Sequence, residues 1–147
     1  MFQRKVHRSP TIVTERHSPP WRLLIESPEP GLAISNFDAF RDAGFEVTVC
    51  EGPARDAHEC PAVRGEPCPL MTEADVVLFD LDSDPLTRSQ VLAAMRASRP
   101  DLPIVVRSTA PAPATADGFT TIRPTTSVGG QVSALRKAVL RWPSPRV

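Results

Sequence analysis

The sequence has no net charge, no long apolar run and little histidine, and each of these features excludes some classes of function. Its 17 basic residues balance its 17 acidic residues, so charge offers no argument for binding nucleic acid or an anionic membrane. The apolar runs are far too short to cross a bilayer, and residues 1–20 lack the apolar core of a signal peptide. We therefore expect a cytoplasmic protein.

Histidine occurs only three times, and two of these residues, His7 and His17, lie in the polar N-terminal stretch. No arrangement of nucleophile, base and orienting group is recognisable, so acid–base or triad catalysis is poorly supported. We expect the chain not to be an enzyme. All basic residues except Lys5 and Lys137 are arginine, and there are 17 prolines, a bias typical of a bacterial genome of high GC content.

The chain is organised around residues 74–84. Four consecutive apolar residues, Val76–Phe79, run directly into the acidic residues Asp80, Asp82 and Asp84. A continuous apolar run ended by a turn signal is typical of a parallel strand buried on both faces. Carboxylates that follow such a strand lie at the edge where open α/β sheets hold their ligands.

Other segments complete an alternation of strands and helices. Further strands are predicted at residues 21–25, 45–50, 104–107 and 119–122, and helices at 31–43, 85–98 and from Thr125 or Thr126 to Trp142. This order predicts an α/β fold, a doubly wound parallel sheet of five strands in the flavodoxin-like order 2-1-3-4-5. The second and fourth helices should be reduced, because residues 51–70 lack an apolar period and residues 108–117 are rich in proline.

The same pattern sets the expected domain boundaries. Residues 1–20 are polar and end in Ser-Pro-Pro, which predicts a disordered N-terminal arm. Residues 21–142 form the predicted domain, and residues 143–147 form a short C-terminal tail.

Two segments carry a resemblance to a known family. Residues 74–81 (Ala-Asp-Val-Val-Leu-Phe-Asp-Leu) and 91–106 (Val-Leu-Ala-Ala-Met-Arg-Ala-Ser-Arg-Pro-Asp-Leu-Pro-Ile-Val-Val) resemble the third strand, third helix and fourth strand of a response-regulator receiver (CheY-like) domain. The resemblance covers roughly residues 21–142. It implies that Asp80 occupies the phosphoacceptor position, although a turn followed by a helix cap also explains the acidic cluster.

The resemblance also implies a magnesium site beside Asp80. The family has an acidic pair after the first strand, and here Glu26 fits the first position but Ser27 stands in the second. Glu26, Asp80 and Asp82 are the candidate ligands. Magnesium prefers a nearly ideal octahedron of oxygens, so the lost carboxylate implies weak binding.

Two further positions of the family pattern differ in how well they match. Ser108 fits the hydroxyl after the fourth strand, whereas Arg123 stands where the family has lysine. Arginine presents a planar fork in place of a compact ammonium, so the exchange is not conservative at a tight site. We therefore expect a degenerate receiver, in which the phosphorylation switch is partly or wholly lost.

The long loop over residues 51–70 suggests a second kind of site. Cys50, Cys60 and Cys68 together with His58 offer the donors of a tetrahedral zinc site. The close Cys-x-x-Cys pair of typical zinc sites is missing. A redox role, with Cys60 and Cys68 as a pair, and inert thiols remain open alternatives.

The expected function is a non-enzymatic signalling module that acts by binding a protein partner or a second copy of itself. Its expected contact surface is the last helix and the shortened region before it. The alternatives are a zinc or redox sensor on the same fold and a working phosphoacceptor.

Overall fold

The computed structural model describes residues 18–28, 35–54, 56–80, 85–108 and 119–141. Within these ranges the strands β1 to β5 are Trp21–Glu26, Phe45–Cys50, Val76–Phe79, Ile104–Arg107 and Phe119–Ile122. The helices α1 to α4 are Phe37–Asp42, Pro69–Glu73, Pro85–Ser98 and Val128–Arg141, and a 3-10 turn covers Ala57–Glu59.

The strands form one parallel sheet in the order β2-β1-β3-β4-β5. This confirms the predicted α/β class and the predicted strand order. The apolar run of β3 explains its central place, because all four of its side chains, from Val76 to Phe79, are buried. A strand with no polar face is stable only where helices cover both of its sides.

Side chains alternate along the strands and build two cores. One core packs strand residues against α1 and α4, and we call this side of the sheet the α4 face; its strand members include Leu23, Ile25, Val76, Leu78 and Val105. The other core packs against α2 and α3, the α3 face, and its strand members are Leu24, Val77, Phe79, Ile104 and Val106. Both layers come directly from the period of two residues in a strand.

The second helix is reduced, as predicted, but it is not absent. Residues 51–70 were expected to form a loop, yet α2 begins at Pro69 and ends at Glu73. Its end is supported from outside the segment, since the Arg99 guanidinium donates hydrogen bonds to the carbonyls of Met71 at 2.9 Å and Thr72 at 3.1 Å. A helix of five residues is too short to show an apolar period in its sequence, and this one is stabilised by a side chain from a distant part of the chain.

The ends of two helices differ from the prediction. The last helix begins at Val128, and its cap is Ser127 and not Thr125 or Thr126, because the Gly130 amide donates to Ser127 Oγ at 3.1 Å. The first helix is described only over Phe37–Asp42. The α3 helix and strands β2 to β5 have the predicted bounds, and β1 extends one residue further, to Glu26.

Several predicted features lie outside the described residues: most of the N-terminal arm, the C-terminal tail, Trp142 and the reduced fourth helix. These stay predictions. No helix in the described ranges has the length and apolar character that a membrane span requires.

Candidate functional site at the carboxyl edge of the sheet

The residues predicted for the site meet at one edge of the sheet. Glu26 is the last residue of β1, and Asp80, Ser108 and Arg123 directly follow β3, β4 and β5. Backbone bonds fix these strand ends laterally: the Asp80 amide donates to the Glu26 carbonyl at 2.8 Å and the Ser108 amide donates to the Ile122 carbonyl at 2.9 Å. A parallel sheet brings all such ends together, as expected.

Asp80 is paired with an arginine that the sequence analysis did not select. Arg107 Nη1 lies 2.9 Å from Asp80 Oδ2, and both side chains are about three-quarters buried, with 24% and 23% of their surface exposed. Arg107 Nη2 donates a second bond, of 2.6 Å, to the Pro124 carbonyl. One guanidinium thus connects the end of β3 with the turn that follows β5.

Arg123, predicted to take the place of the family's lysine, does not contact Asp80. Its side chain is exposed and forms no ion pair with any residue in the described ranges. Arg107 could have been found from its position, because Phe79 pairs with Val106 in the register of β3 and β4. Continuing that register by one residue sets Asp80 beside Arg107 on the α4 face.

Glu26 lies on the other face of the sheet and in a different environment. It follows Leu24 by alternation onto the α3 face, and only 6% of its surface is exposed. Burial raises the pKa of Glu26 to about 7, and a hydrogen bond from the Cys50 thiol partly offsets this effect. Burial and the nearby Glu26 carboxylate raise the pKa of Cys50 to about 12. This pair therefore holds a proton near neutral pH.

Ser27, at the second position of the family's acidic pair, is buried with 3% of its surface exposed. Its amide donates to the Cys50 carbonyl at 2.9 Å. Because Ser27 follows Ile25, alternation directs it to the α4 face, the side on which Asp80 meets Arg107. A neutral hydroxyl group thus stands where a second carboxylate would have shared a cation with Asp80.

These donors fit a magnesium ion poorly. Of the predicted ligands, Asp82 lies outside the described residues, Glu26 carries a proton over much of the pH range, and Asp80 is neutralised by Arg107. Within the described ranges no three Asp, Glu, His or Cys residues gather as a metal site would require. Magnesium needs several anionic or carbonyl oxygens on one side of the ion.

The predicted zinc residues are all described, and they do not assemble into a metal site. Cys50, Cys60 and Cys68 are free and partly buried, and they pack against the core of the α3 face. His58 is exposed, and its Nδ1 lies 3.1 Å from Asp56 Oδ1. Cys68 contributes to the electrostatic environment of Cys50, and the predicted redox pair of Cys60 and Cys68 stays a prediction.

Comparison with known proteins supports the fold and leaves the chemistry open. No protein-family model matches the chain, and no curated protein matches it either. Solved structures do match. A receiver domain protein from Methanospirillum hungatei has a TM-score of 0.61 and 15% sequence identity over 83% of this chain and 95% of that chain.

Two other structures agree. A receiver domain protein from Clostridium thermocellum has a TM-score of 0.58 and 17% identity over 82% of this chain and 95% of that one. A protein described as a transiently phosphorylated switch in bacterial signal transduction has a TM-score of 0.59 and 14% identity, over 84% and 98%. This chain therefore has the fold of response-regulator receiver (CheY-like) domains, as its sequence predicted.

Proposed function

We propose that the chain is a non-enzymatic signalling module with a receiver fold, which acts by binding a protein partner and does not depend on phosphorylation. The observation that carries this proposal is the ion pair between Asp80 and Arg107, at 2.9 Å. A carboxylate nucleophile must be accessible, and a divalent cation beside it must be free to bind the incoming phosphoryl group. Here a guanidinium already occupies the Asp80 carboxylate, and Ser27 replaces the second carboxylate that would help to hold a divalent cation.

The proposed contact surface consists of α4 and β5. Helix α4 contains Arg136, Lys137 and Arg141 and no acidic residue, and none of the three forms an ion pair with a described residue. On the same helix, Leu140 has 58% of its surface exposed. A groove of about 370 Å³ runs between α4 and β5, with Phe119 and Lys137 among its lining residues. Unpaired cations around an apolar groove favour a partner with an acidic surface.

Phosphorylation is the first test. The protein is incubated with acetyl phosphate and magnesium, and its intact mass is measured, together with the fluorescence of the buried Trp21 during beryllofluoride titration. We expect no added mass and no change in fluorescence. A covalent phosphoryl group that is lost in Asp80→Asn would show a working phosphoacceptor and would overturn the proposal.

Partner binding is the second test. A photo-crosslinking residue is placed at Leu140, with Leu86 on α3 as the matched control, since 66% of its surface is exposed. We expect a crosslinked partner from position 140 and none from position 86. Charge reversal in Lys137→Glu should reduce the yield, whereas equal yields from both positions would contradict this surface.

A working phosphoacceptor is the second candidate function. Asp80 follows β3 and Ser108 follows β4 at the same edge of the sheet, which is the arrangement that the family resemblance implies. The acetyl phosphate experiment distinguishes the two candidates directly.

A thiol sensor is the third candidate, and the electrostatic influence of Cys68 on Cys50 is the observation that favours it. The raised pKa of Cys50 opposes it, because the thiolate is the reactive form. After mild oxidation, an intact mass lower by two hydrogen atoms and a disulfide mapped between Cys50 and Cys68 would support the thiol sensor.

A further inference from the structure

Arg107 links two parts of the chain at this edge of the sheet. Its guanidinium uses one nitrogen for Asp80, after β3, and the other for the Pro124 carbonyl, after β5. Since β4 lies between β3 and β5 in the sheet, the link spans three neighbouring strands. The planar fork of arginine presents separate donors to both acceptors from one position.

The contacts continue from Pro124 to the start of α4. Pro124 lies in a turn closed by the Thr126 amide, which donates to the Arg123 carbonyl at 3.0 Å. The next residue, Ser127, caps α4 through its bond from the Gly130 amide at 3.1 Å. Buried residues of α4, such as Leu135 and Val139, then pack against the sheet. An unbroken set of bonds therefore leads from the Asp80 carboxylate to the helix that we propose as the contact surface.

Both end groups of the Arg107 guanidinium are hydrogen-bonded, but among the described residues its Nε atom is not. The two bonds are of the charge-assisted kind, and both ionised side chains are largely removed from water. Arg107 Nε, however, is buried and has no hydrogen-bond partner in the part of the chain that is described. A buried donor without a partner is costly, so Arg107 is held in place by its two ends and not by a filled set of bonds.

We propose that Arg107 is a positioning residue that ties the Asp80 side chain to the β5–α4 turn and thereby holds the first turn of α4 in place. This inference rests on the proposed function, because α4 is the proposed contact surface. The Asp80 carboxylate retains Arg107, and Arg107 holds the turn. A change that removes the carboxylate or the guanidinium loosens the start of α4, and thereby alters the surface offered to a partner.

The test is hydrogen exchange of the wild-type chain and of Arg107→Gln, Asp80→Asn and the double variant. We expect the amides of residues 124–131 to exchange roughly tenfold faster in each single variant, as the loss of one charge-assisted bond predicts. The double variant should exchange no faster than either single variant, because both changes break one link. Arg107→Lys should restore part of the protection, since an ammonium can keep one of the two bonds.

The matched control is Arg22→Gln, which removes an arginine that is ion-paired with Glu73 at 2.9 Å, away from this edge. It should leave residues 124–131 unchanged. Unchanged exchange in Arg107→Gln, faster exchange spread over the whole domain, or additive effects of the two single changes would each overturn the coupling. The experiment needs neither partner nor phosphoryl donor, so its failure would leave the proposed function standing, and added phosphoryl mass would leave the coupling standing.

Discussion

Glu26 and Cys50 are register partners at the ends of β1 and β2, and their side chains share a hydrogen bond on the α3 face of the sheet. The thiol donates to the carboxylate, and burial disfavours the charged form of both groups. A carboxyl group at the ligand edge of the sheet thus behaves as part of the buried core. Two measurable consequences follow from this pair.

Glu26 should make the stability of the fold dependent on pH. Its pKa is about 7 in the folded chain against 4.5 as the ordinary value, so folding favours its protonated form. The contribution of Glu26 to the free energy of unfolding is therefore fully present below about pH 4.5, and it is lost as the pH rises to about 7. The expected loss is about 3 kcal/mol.

Urea unfolding of wild type and Glu26→Gln at pH 5 and pH 8 measures this effect. Glu26→Gln should be more stable than wild type at pH 8. Its free energy of unfolding should differ much less between pH 5 and pH 8 than that of wild type. Glu46→Gln, an exposed change on the neighbouring strand, should keep the wild-type dependence. A wild-type chain equally stable at both pH values would refute the prediction.

Cys50 should be the slowest of the three cysteines to react with iodoacetamide at pH 8. Its pKa is raised to about 12, so little thiolate is present to attack. In Glu26→Gln the reaction of Cys50 should become faster, because the nearby negative charge is removed. Peptide mass spectrometry after timed alkylation gives the three rates, and equal labelling of Cys50 and Cys60 would contradict this assignment.

Replacing Arg99 by methionine should destabilise the domain by about 2 kcal/mol. The change removes the guanidinium that donates to the carbonyls of Met71 and Thr72, and it leaves the partly buried Asp101 without its cation at 3.2 Å. Thermal or urea unfolding measures the loss. Arg123→Ala is the matched control, since this arginine is exposed, and its effect should stay within about 0.5 kcal/mol.

The two glycines at the start of α4 should respond in opposite ways to alanine. A Cβ atom at Gly129 would meet nothing closer than Ser127 Oγ at 4.0 Å, so Gly129→Ala should stabilise the helix by about 0.5 kcal/mol. A Cβ atom at Gly130 would lie 2.7 Å from Thr126 Cγ2. The stiff threonine cannot easily move away, so Gly130→Ala should destabilise. Urea unfolding of both variants and of wild type measures the two effects. Equal effects of Gly129→Ala and Gly130→Ala would contradict the prediction.

The strand prediction succeeded where the signal was local. The buried run at Val76–Phe79 and the apolar strand Ile104–Arg107 were both found with their correct ends. The second helix was predicted to be reduced, but the range of α2 was not predicted, because this helix is stabilised by Arg99 from a distant part of the chain and not by its own apolar period. The cap of α4 was misplaced by one residue, since Thr126 and Ser127 are equally suitable capping residues in sequence.

The site was predicted by position but not by partner. Glu26, Asp80 and Ser108 lie at the expected edge, because parallel strands bring their carboxyl ends together whatever their side chains. Arg107, which was not among the predicted site residues, is the cation that pairs with Asp80, and the assignment of Arg123 to the family's lysine position stays a prediction. The zinc donors were near in sequence, yet they do not gather in the structure.

The sequence by itself determined the order of strands and helices, the receiver fold and the edge at which the polar residues collect. These follow from apolar period and strand alternation, which act over a few residues at a time. Only the tertiary structure decided that Asp80 pairs with Arg107 and that Glu26 accepts a hydrogen bond from the Cys50 thiol. Those contacts depend on the register between strands and on the face to which each side chain points, and both are settled only when the whole sheet has packed.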